Sequence, residues 1–565
     1  MSYQRFFLPP NNPTTYQRHQ LFKQALLDVN RLEDYNNIID LLSPPQDITK
    51  LAAPGVFKGI KVGIIGGGLA GLAAAFELRK LGFDITIFDA LKDRVGGRVY
   101  TYYFNKSKEL YGELGPMRIP ISHESTWHYI DLFNLNTRPF IQNNENAFIY
   151  VGDLRVRNDP LGRNVMKKIY PMFKLRGLER RTPWQKLLSY GLTTTLSRIP
   201  PRIRREILKI KKHYHPLIKY WTSFNERQVL EKMNLSQGAI SMLGSVSPFV
   251  EDFFYYSYSE VLQEEYTVAY SFLYEIIGGL AKLPISFYKS LTSNTPTEYD
   301  NIPTNRLGKI TWKSDHLITE ISQNPEKNQV ILKYNNNLSS NTIESFDYII
   351  CAIPFSSLRL VTVDPLFSTM KMVAIRDLGY SNSQKTVLLC KNRFWEEGGE
   401  NNRIIGGGSY TDLPITSIWY PSDHARCIYN NKCSPKESGV LLASYNFTLD
   451  AVRLGNLIKP RRIEEIKRQV ESVHGLPRGY LDNIVKDYKS VNWNEQSEFY
   501  GAFAYFQPEQ KRIYSSTIIR PEYNNKVFFA GEHTSATHAW MQGALRSGMR
   551  AANQLAKSCK LNNKL

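Results

Sequence analysis

Gly66-Gly67-Gly68-Leu69-Ala70-Gly71 sets three glycines at G-x-G-x-x-G spacing, and an acid, Asp89, follows eighteen positions after Gly71. These residue types at this spacing can hold a dinucleotide. Gly66 makes the tight turn, Gly68 lets backbone approach a pyrophosphate, and Gly71 lets a helix pack closely on a strand. Unpaired N–H groups at the start of that helix hold phosphate charge, and Asp89 would accept hydrogen bonds from the adenosine ribose hydroxyls. Metal chemistry has no comparable signal. His533 and His538 are five apart, off a shared helical face, and no cysteine or acid cluster accompanies them.

The flanking residues supply the elements that this chemistry needs. Residues 60–65 (Ile-Lys-Val-Gly-Ile-Ile) form a short β-branched apolar run, as in a buried parallel strand. Leu72-Ala73-Ala74-Ala75-Phe76-Glu77-Leu78-Arg79 is rich in helix formers, and Asp84-Ile85-Thr86-Ile87-Phe88 reads as a second strand ending on Asp89. A glycine hexad alone is a weak signal; strand, glycine turn, helix, strand and acid in this order predict a Rossmann-like unit.

With 565 residues, 42% hydrophobic and 12% aromatic, the chain predicts two or three domains with a large core. Met1 to Gln20 is polar and lacks an apolar h-region. The longest uncharged apolar window, Val62 to Phe76, is too short for a membrane span, and the final Leu-Asn-Asn-Lys-Leu is polar. Five cysteines (351, 390, 427, 433, 559) contain no C-x-x-C pair, and their odd number predicts no disulfide framework, so a cytoplasmic protein is the expectation. The net charge of +19 concentrates partly at Arg198 to Lys212, where seven residues are basic. Ile203, Ile207, Ile210 and Tyr214 there fall at helical spacing behind Pro200-Pro201, which predicts a packed helix with a solvated basic face. A nucleic-acid or anionic-membrane surface is the alternative, but no nucleic-acid-binding signature accompanies the run.

Beyond Asp89, the run Asp93-Arg94-Val95-Gly96-Gly97-Arg98 resembles the R-x-G-G-R segment of the FAD-dependent amine oxidase family. Gly115-Pro116-Met117-Arg118-Ile119-Pro120 resembles, nearly letter for letter, a segment of its L-amino-acid oxidases. So do Gly278-Gly279-Leu280-Ala281-Lys282-Leu283-Pro284, Ala530-Gly531-Glu532-His533-Thr534 and Trp540-Met541-Gln542-Gly543-Ala544. The resemblance covers residues 56 to about 556. It implies an α/β (α+β) fold with a Rossmann-like FAD-binding domain, a β-rich substrate domain and an inserted α-helical domain. The sequence itself reads as an N-terminal helical extension over 1–55, with helices at Tyr16 to Leu27 and Leu32 to Leu42, and the resemblance places FAD-binding segments at 56–100, 266–360 and 516–565. Substrate-domain segments would occupy 101–152 and 361–515, with helices over 153–265.

For the site, the resemblance implies FAD contacts from Gly66, Gly68, Leu69, Ala70, Gly71, Asp89, Ala90 and Arg98. Further contacts would come from Gly115, Pro116, Met117, Arg118, from Ile318 bracketing the adenine, and from Gly531, Glu532, Trp540, Met541 and Ala544. Arg118 and Tyr445 would bind a substrate carboxylate, for which a planar guanidinium offers two parallel hydrogen bonds. Lys385 would hold a water against the flavin, Phe503 and Trp540 would wall the pocket, and the Ala539 carbonyl would face the substrate amine. The family often has glycine at that last position, so Ala539 is a departure. The aromatic run Phe253-Phe254-Tyr255-Tyr256 is expected in the core. No cysteine lies in Tyr500–Pro508, where covalent relatives tether the flavin, so FAD is expected to be non-covalent. The implied activity is oxidative deamination of an L-amino acid by hydride transfer to flavin N5, with O2 as the second substrate, in a dimer or larger assembly. An L-amino-acid 2-monooxygenase is the alternative, and a monoamine or polyamine oxidase the next.

Overall fold

The computed structural model describes residues 8–562 apart from 300, 337–340 and 429–431; the outermost residues of the two polar termini read above lie outside this set. The predicted βαβ unit forms: strand Lys61–Ile65, helix Leu69–Lys80, strand Asp84–Asp89. Five parallel strands make the sheet, in the order Ile310–Ser314, Asp84–Asp89, Lys61–Ile65, Tyr348–Cys351, Val527–Phe529. Lys61–Ile65 is central and feeds one neighbour through the helix, so the strand order switches direction beside Gly66. Ligands bind in such crevices at the carboxyl ends of strands. The long C-terminal helix, Met541–Asn562, packs on helix Leu69–Lys80. Ile310–Ser314, on the sheet's outer edge, was not anticipated. It alternates too many polar residues to read as a buried strand.

Leu317–Asn324, Gln329–Asn335 and Thr342–Phe346 form an antiparallel meander beside that sheet. A separate seven-stranded sheet is mostly antiparallel, with Val485–Asn492, Ser383–Cys390 and Gly439–Phe447 adjacent in that order. The hairpin Phe148–Val151/Leu154–Arg157 is its other end, so strand character continues past residue 152. Short helices then run from Arg163 to Tyr266. N-terminal helices Thr15–Asp28 and Tyr35–Leu42 occur as the sequence suggests, the first started by a Thr14/Gln17 capping box.

Two expectations fail. Cys427 and Cys433 are disulfide-bonded across a six-residue separation, with Cα atoms 5.5 Å apart. An odd cysteine count does not forbid a local pair when the remaining three, Cys351, Cys390 and Cys559, are buried core residues. The pairing removes the cysteine argument for a reducing compartment. The basic run is also not one helix: Pro201–Arg204 tightens into a 3-10 turn at Arg205–Leu208 and then extends. Ile203 and Ile207 are still buried. Arg204 breaks the solvated-face reading by turning inward, where it pairs with Asp34 and Glu33 of the N-terminal extension. No helix of the described residues is long and apolar enough to cross a membrane.

Candidate active site

One continuous cavity of about 370 Å³ runs from the glycine turn to the aromatic wall of the helical region. Of the site residues singled out in the sequence, every one lines it except Gly71. Gly71 stands immediately behind the turn, where an added Cβ would come within 2.0 Å of the Gly66 carbonyl oxygen. Gly66 itself has φ +105°, a backbone state that favours glycine. A Cβ on Gly68 would meet nothing within 4 Å, so that face is open. Gly67 was missed: its added Cβ would lie 2.3 Å from Asp89 Oδ2.

Asp89 is buried, and burial pushes its carboxyl up to about 6. Its Oδ1 accepts from the Leu91 N–H at 3.2 Å, whereas Oδ2 has no partner among the described residues. A buried acceptor without a donor is costly, and a ribose hydroxyl would satisfy it. Together with the open turn and the N-terminus of helix Leu69–Lys80, these residues fit an adenine dinucleotide. Ile318 is buried at the same end.

Glu532 is already engaged. Its Oε1 accepts from Arg98 Nη1 and the Ala504 N–H, both at 3.0 Å, and its Oε2 accepts from the Ala539 N–H at 3.1 Å. It therefore ties three chain segments together at the centre of the cavity.

At the other end, strand Ser383–Cys390 pairs with Gly439–Phe447 so that Lys385 and Tyr445 are Cα partners. The Tyr445 ring lies 4.0 Å from Lys385 Nζ. Lys385 donates to the Gly115 carbonyl at 2.7 Å. Burial lowers its pKa to about 7, against the pull of Glu113. Glu113 is itself pushed up to about 8 by burial. Arg118 is buried, donates to Gln142 Oε1 at 2.7 Å, and has the rings of Tyr270 and Trp419 each 5.0 Å from its guanidinium carbon. Among the described residues no carboxylate forms an ion pair with it.

The outer wall is aromatic. Phe253 packs on Phe447 and Phe503, and Tyr256 stacks on Tyr505 with centroids 3.7 Å apart. Phe253 and Tyr256 thus line the cavity rather than simply filling core, and Tyr255 is exposed. Trp540 Nε1 donates to Glu264 Oε1 at 2.9 Å. Glu260 and Glu264 were also missed, although their four-residue spacing on helix Tyr258–Tyr266 puts both on one face, and both line the cavity.

Ala539 has φ +65°. That left-handed state costs a residue with a Cβ about 1–2 kcal/mol. Ala539→Gly removes that strain at some cost in chain entropy, so the holoprotein should gain about 0.5–1 kcal/mol in thermal unfolding. An unchanged or lower melting temperature would show the methyl to be held by packing.

A sequence profile described as "Flavin containing amine oxidoreductase" matches residues 69–556. The chain is 29% identical to the L-amino acid oxidase bordonein-L of Crotalus durissus terrificus over 498 residues, covering 88% of this chain and 86% of the relative. It is likewise 29% identical over 497 residues to an L-amino-acid oxidase of Vipera ammodytes ammodytes, covering 88% and 92%. Among solved structures, a putrescine oxidase bound to putrescine superposes with TM-score 0.62 at 16% identity, over 87% of this chain and 98% of the other. Cyclohexylamine oxidase from Brevibacterium oxydans IH-35A gives 0.62 at 16%, over 89% and 99%. The profile takes in the glycine turn's helix, the aromatic cavity and the closing helix alike, and the chain belongs to the flavin-containing amine oxidoreductase family.

Proposed function

We propose that this protein is an FAD-dependent L-amino-acid oxidase, converting an L-amino acid and O2 to a 2-oxo acid, ammonia and hydrogen peroxide. The observation that carries this reading is Arg118: a buried guanidinium lining the cavity, bonded among the described residues only to a neutral amide and packed against aromatic rings. A cation so placed suits a substrate carboxylate. The relatives named as L-amino-acid oxidases, aligned over 88% of the chain, support the same activity.

In this reading Asp89 and the glycine turn hold the adenosine and pyrophosphate. The N-terminus of helix Met541–Asn562 faces the far end of the cofactor, where its dipole favours negative charge. FAD, when bound, supplies the acceptor for a hydride from the substrate α-carbon and passes the electrons to O2. Non-covalent binding is part of this reading, supported by the lack of a cysteine among the described residues that line the cavity. Arg118 and Tyr445 fix the carboxylate, Trp540 and Phe503 enclose the side chain, and the Ala539 carbonyl lies toward the amine. The protein's contribution is chiefly orientation in a dry site. Lys385, whose pKa burial lowers, can hold a water by donating to it.

The solved neighbours act on amines without a carboxylate, and an amine oxidase reading would leave Arg118 without a role. Anaerobic titration of the purified protein's flavin absorbance decides. Bleaching by some L-amino acids, and by no D-isomer or simple amine, is expected; bleaching by amines alone would overturn the reading. Peroxide with 2-oxo acid, rather than an amide with CO2, separates the oxidase from a monooxygenase.

A further inference from the structure

Three carboxylates, Glu532 at the centre and Glu260 and Glu264 at the substrate end, line this part of the cavity, and two of them have a basic side chain as partner. Glu532 bonds Arg98, and Glu260 bonds His538 at 3.1 Å. Among the described residues Glu264 is held only by neutral donors, Trp540 Nε1–H at 2.9 Å to Oε1 and the Tyr270 hydroxyl at 3.0 Å to Oε2. The Tyr270 ring that donates to Glu264 also lies against the Arg118 guanidinium. Glu264 therefore sits between the carboxylate-binding arginine and the Ala539-Trp540 segment, half-buried and lining the cavity.

An L-amino acid arrives at neutral pH as an ammonium, and that nitrogen has no lone pair with which to expel a hydride from the α-carbon. Its proton must leave before the C–H bond breaks, and a group lining the cavity has to receive it. We propose that Glu264 takes this proton: as the substrate carboxylate docks on Arg118, one ammonium N–H bond breaks and one O–H bond forms on the Glu264 carboxylate. The nitrogen keeps the electron pair, which closes the C=N bond as the hydride departs. Glu264 acts on nitrogen, not on the α-carbon. The inference rests on the L-amino-acid reading above.

The electrostatics agree. Burial pushes Glu264 up to about 7; the hydrogen bonds from Tyr270 and Trp540 pull it down first, the Arg118 charge pulls it down further, and Glu265 pushes it up. Burial raises the neighbouring Glu226 to about 8 and also raises Tyr270 and Tyr445, so all three are mainly neutral at pH 7. The sign of the Arg118 effect matters most. A docked substrate carboxylate cancels the arginine's charge, so Glu264 gains proton affinity at the moment an ammonium proton is beside it.

The experiment is the pH profile of kcat/KM, from about pH 5.5 to 10, for the holoenzyme and Glu264→Gln on an L-amino acid that bleaches the flavin. Wild type should rise through an acid limb near neutrality. Glu264→Gln should lose that limb, fall about 10²-fold near pH 7, and approach wild type at alkaline pH, where the free substrate already carries a neutral amine. Glu264→Asp should keep a limb, which preserves the test if the glutamine variant loses flavin. Lys385 also titrates near neutrality, so Lys385→Met must keep the limb whatever its effect on rate. A Glu264→Gln profile with the wild-type limb intact, or lowered equally at every pH, overturns the proposal, as does a limb that vanishes in Lys385→Met. A wild-type protein bleached by no L-amino acid would overturn the oxidase reading, and this proposal with it.

Discussion

Arg118→Ala should lower kcat/KM for the best L-amino acid by about 30- to 5,000-fold. Removing one partner of a buried, hydrogen-bonded charge pair costs about 2–5 kcal/mol, and each 1.36 kcal/mol is tenfold in rate. The loss falls at the upper end if the substrate carboxylate is left desolvated against Tyr270 and Trp419, rings that offer it no compensating cation. Flavin content should be nearly unchanged, because the adenosine end of the cavity is built from Asp89 and the glycine turn, on separate elements. Arg118→Lys keeps a charge but loses the planar fork, and should recover only part of the activity. Removing the arginine also removes the charge that holds Glu264 down, so the acid limb of Arg118→Ala should move to higher pH. Full activity in Arg118→Ala would make the arginine structural and move the substrate to simple amines.

Gly71→Ala should yield protein that retains little flavin after gel filtration. The new methyl would meet the Gly66 carbonyl oxygen at 2.0 Å, far inside van der Waals contact, and both atoms are fixed in place by the backbone. Relief requires the helix N-terminus to move away from the turn, which spreads the N–H groups that hold the pyrophosphate. Overpacking of this kind costs about 1–3 kcal/mol in a side-chain core, and backbone against backbone can give least. The melting temperature of wild type should rise with added FAD, since ligand binding favours the folded state; that of Gly71→Ala should not. Stoichiometric flavin in the variant would show that the turn relaxes at no cost to the cradle.

The cofactor end was legible because its chemistry is local. Gly66, Gly68, Gly71 and Asp89 are constrained by turn, helix start and strand end within thirty residues, and sequence spacing reports such constraints directly. Tyr445 was legible only through family resemblance, and the sheet sets it opposite Lys385. Glu264 was illegible as a functional residue. The sequence Glu260-Val261-Leu262-Gln263-Glu264-Glu265 offers three acids on one helix. Only the packing of that helix against Trp540 and Tyr270 tells which carboxylate meets a cavity. The Cys427–Cys433 bond depends likewise on a loop closing on itself, which no count of cysteines encodes. The basic run misled because helical spacing persisted past Leu208 while the backbone did not. Arg204, one of its cations, found its counter-charges at Glu33 and Asp34, about 170 residues away.

That long reach has a consequence for how the protein is handled. Arg31 of the N-terminal extension donates to the carbonyls of Tyr266 and Glu265, at 3.1 and 2.6 Å, where the helix carrying Glu264 ends. Arginine at a helix C-terminus satisfies carbonyls that otherwise lack partners and offsets the negative end of the dipole. The first fifty-five residues lie outside the span that defines the family, so they are the natural stretch to trim for expression or to exchange between relatives. Either change would loosen the end of a helix that forms one wall of the cavity. Substrate preference measured on a shortened chain would then describe a different enzyme from the whole one.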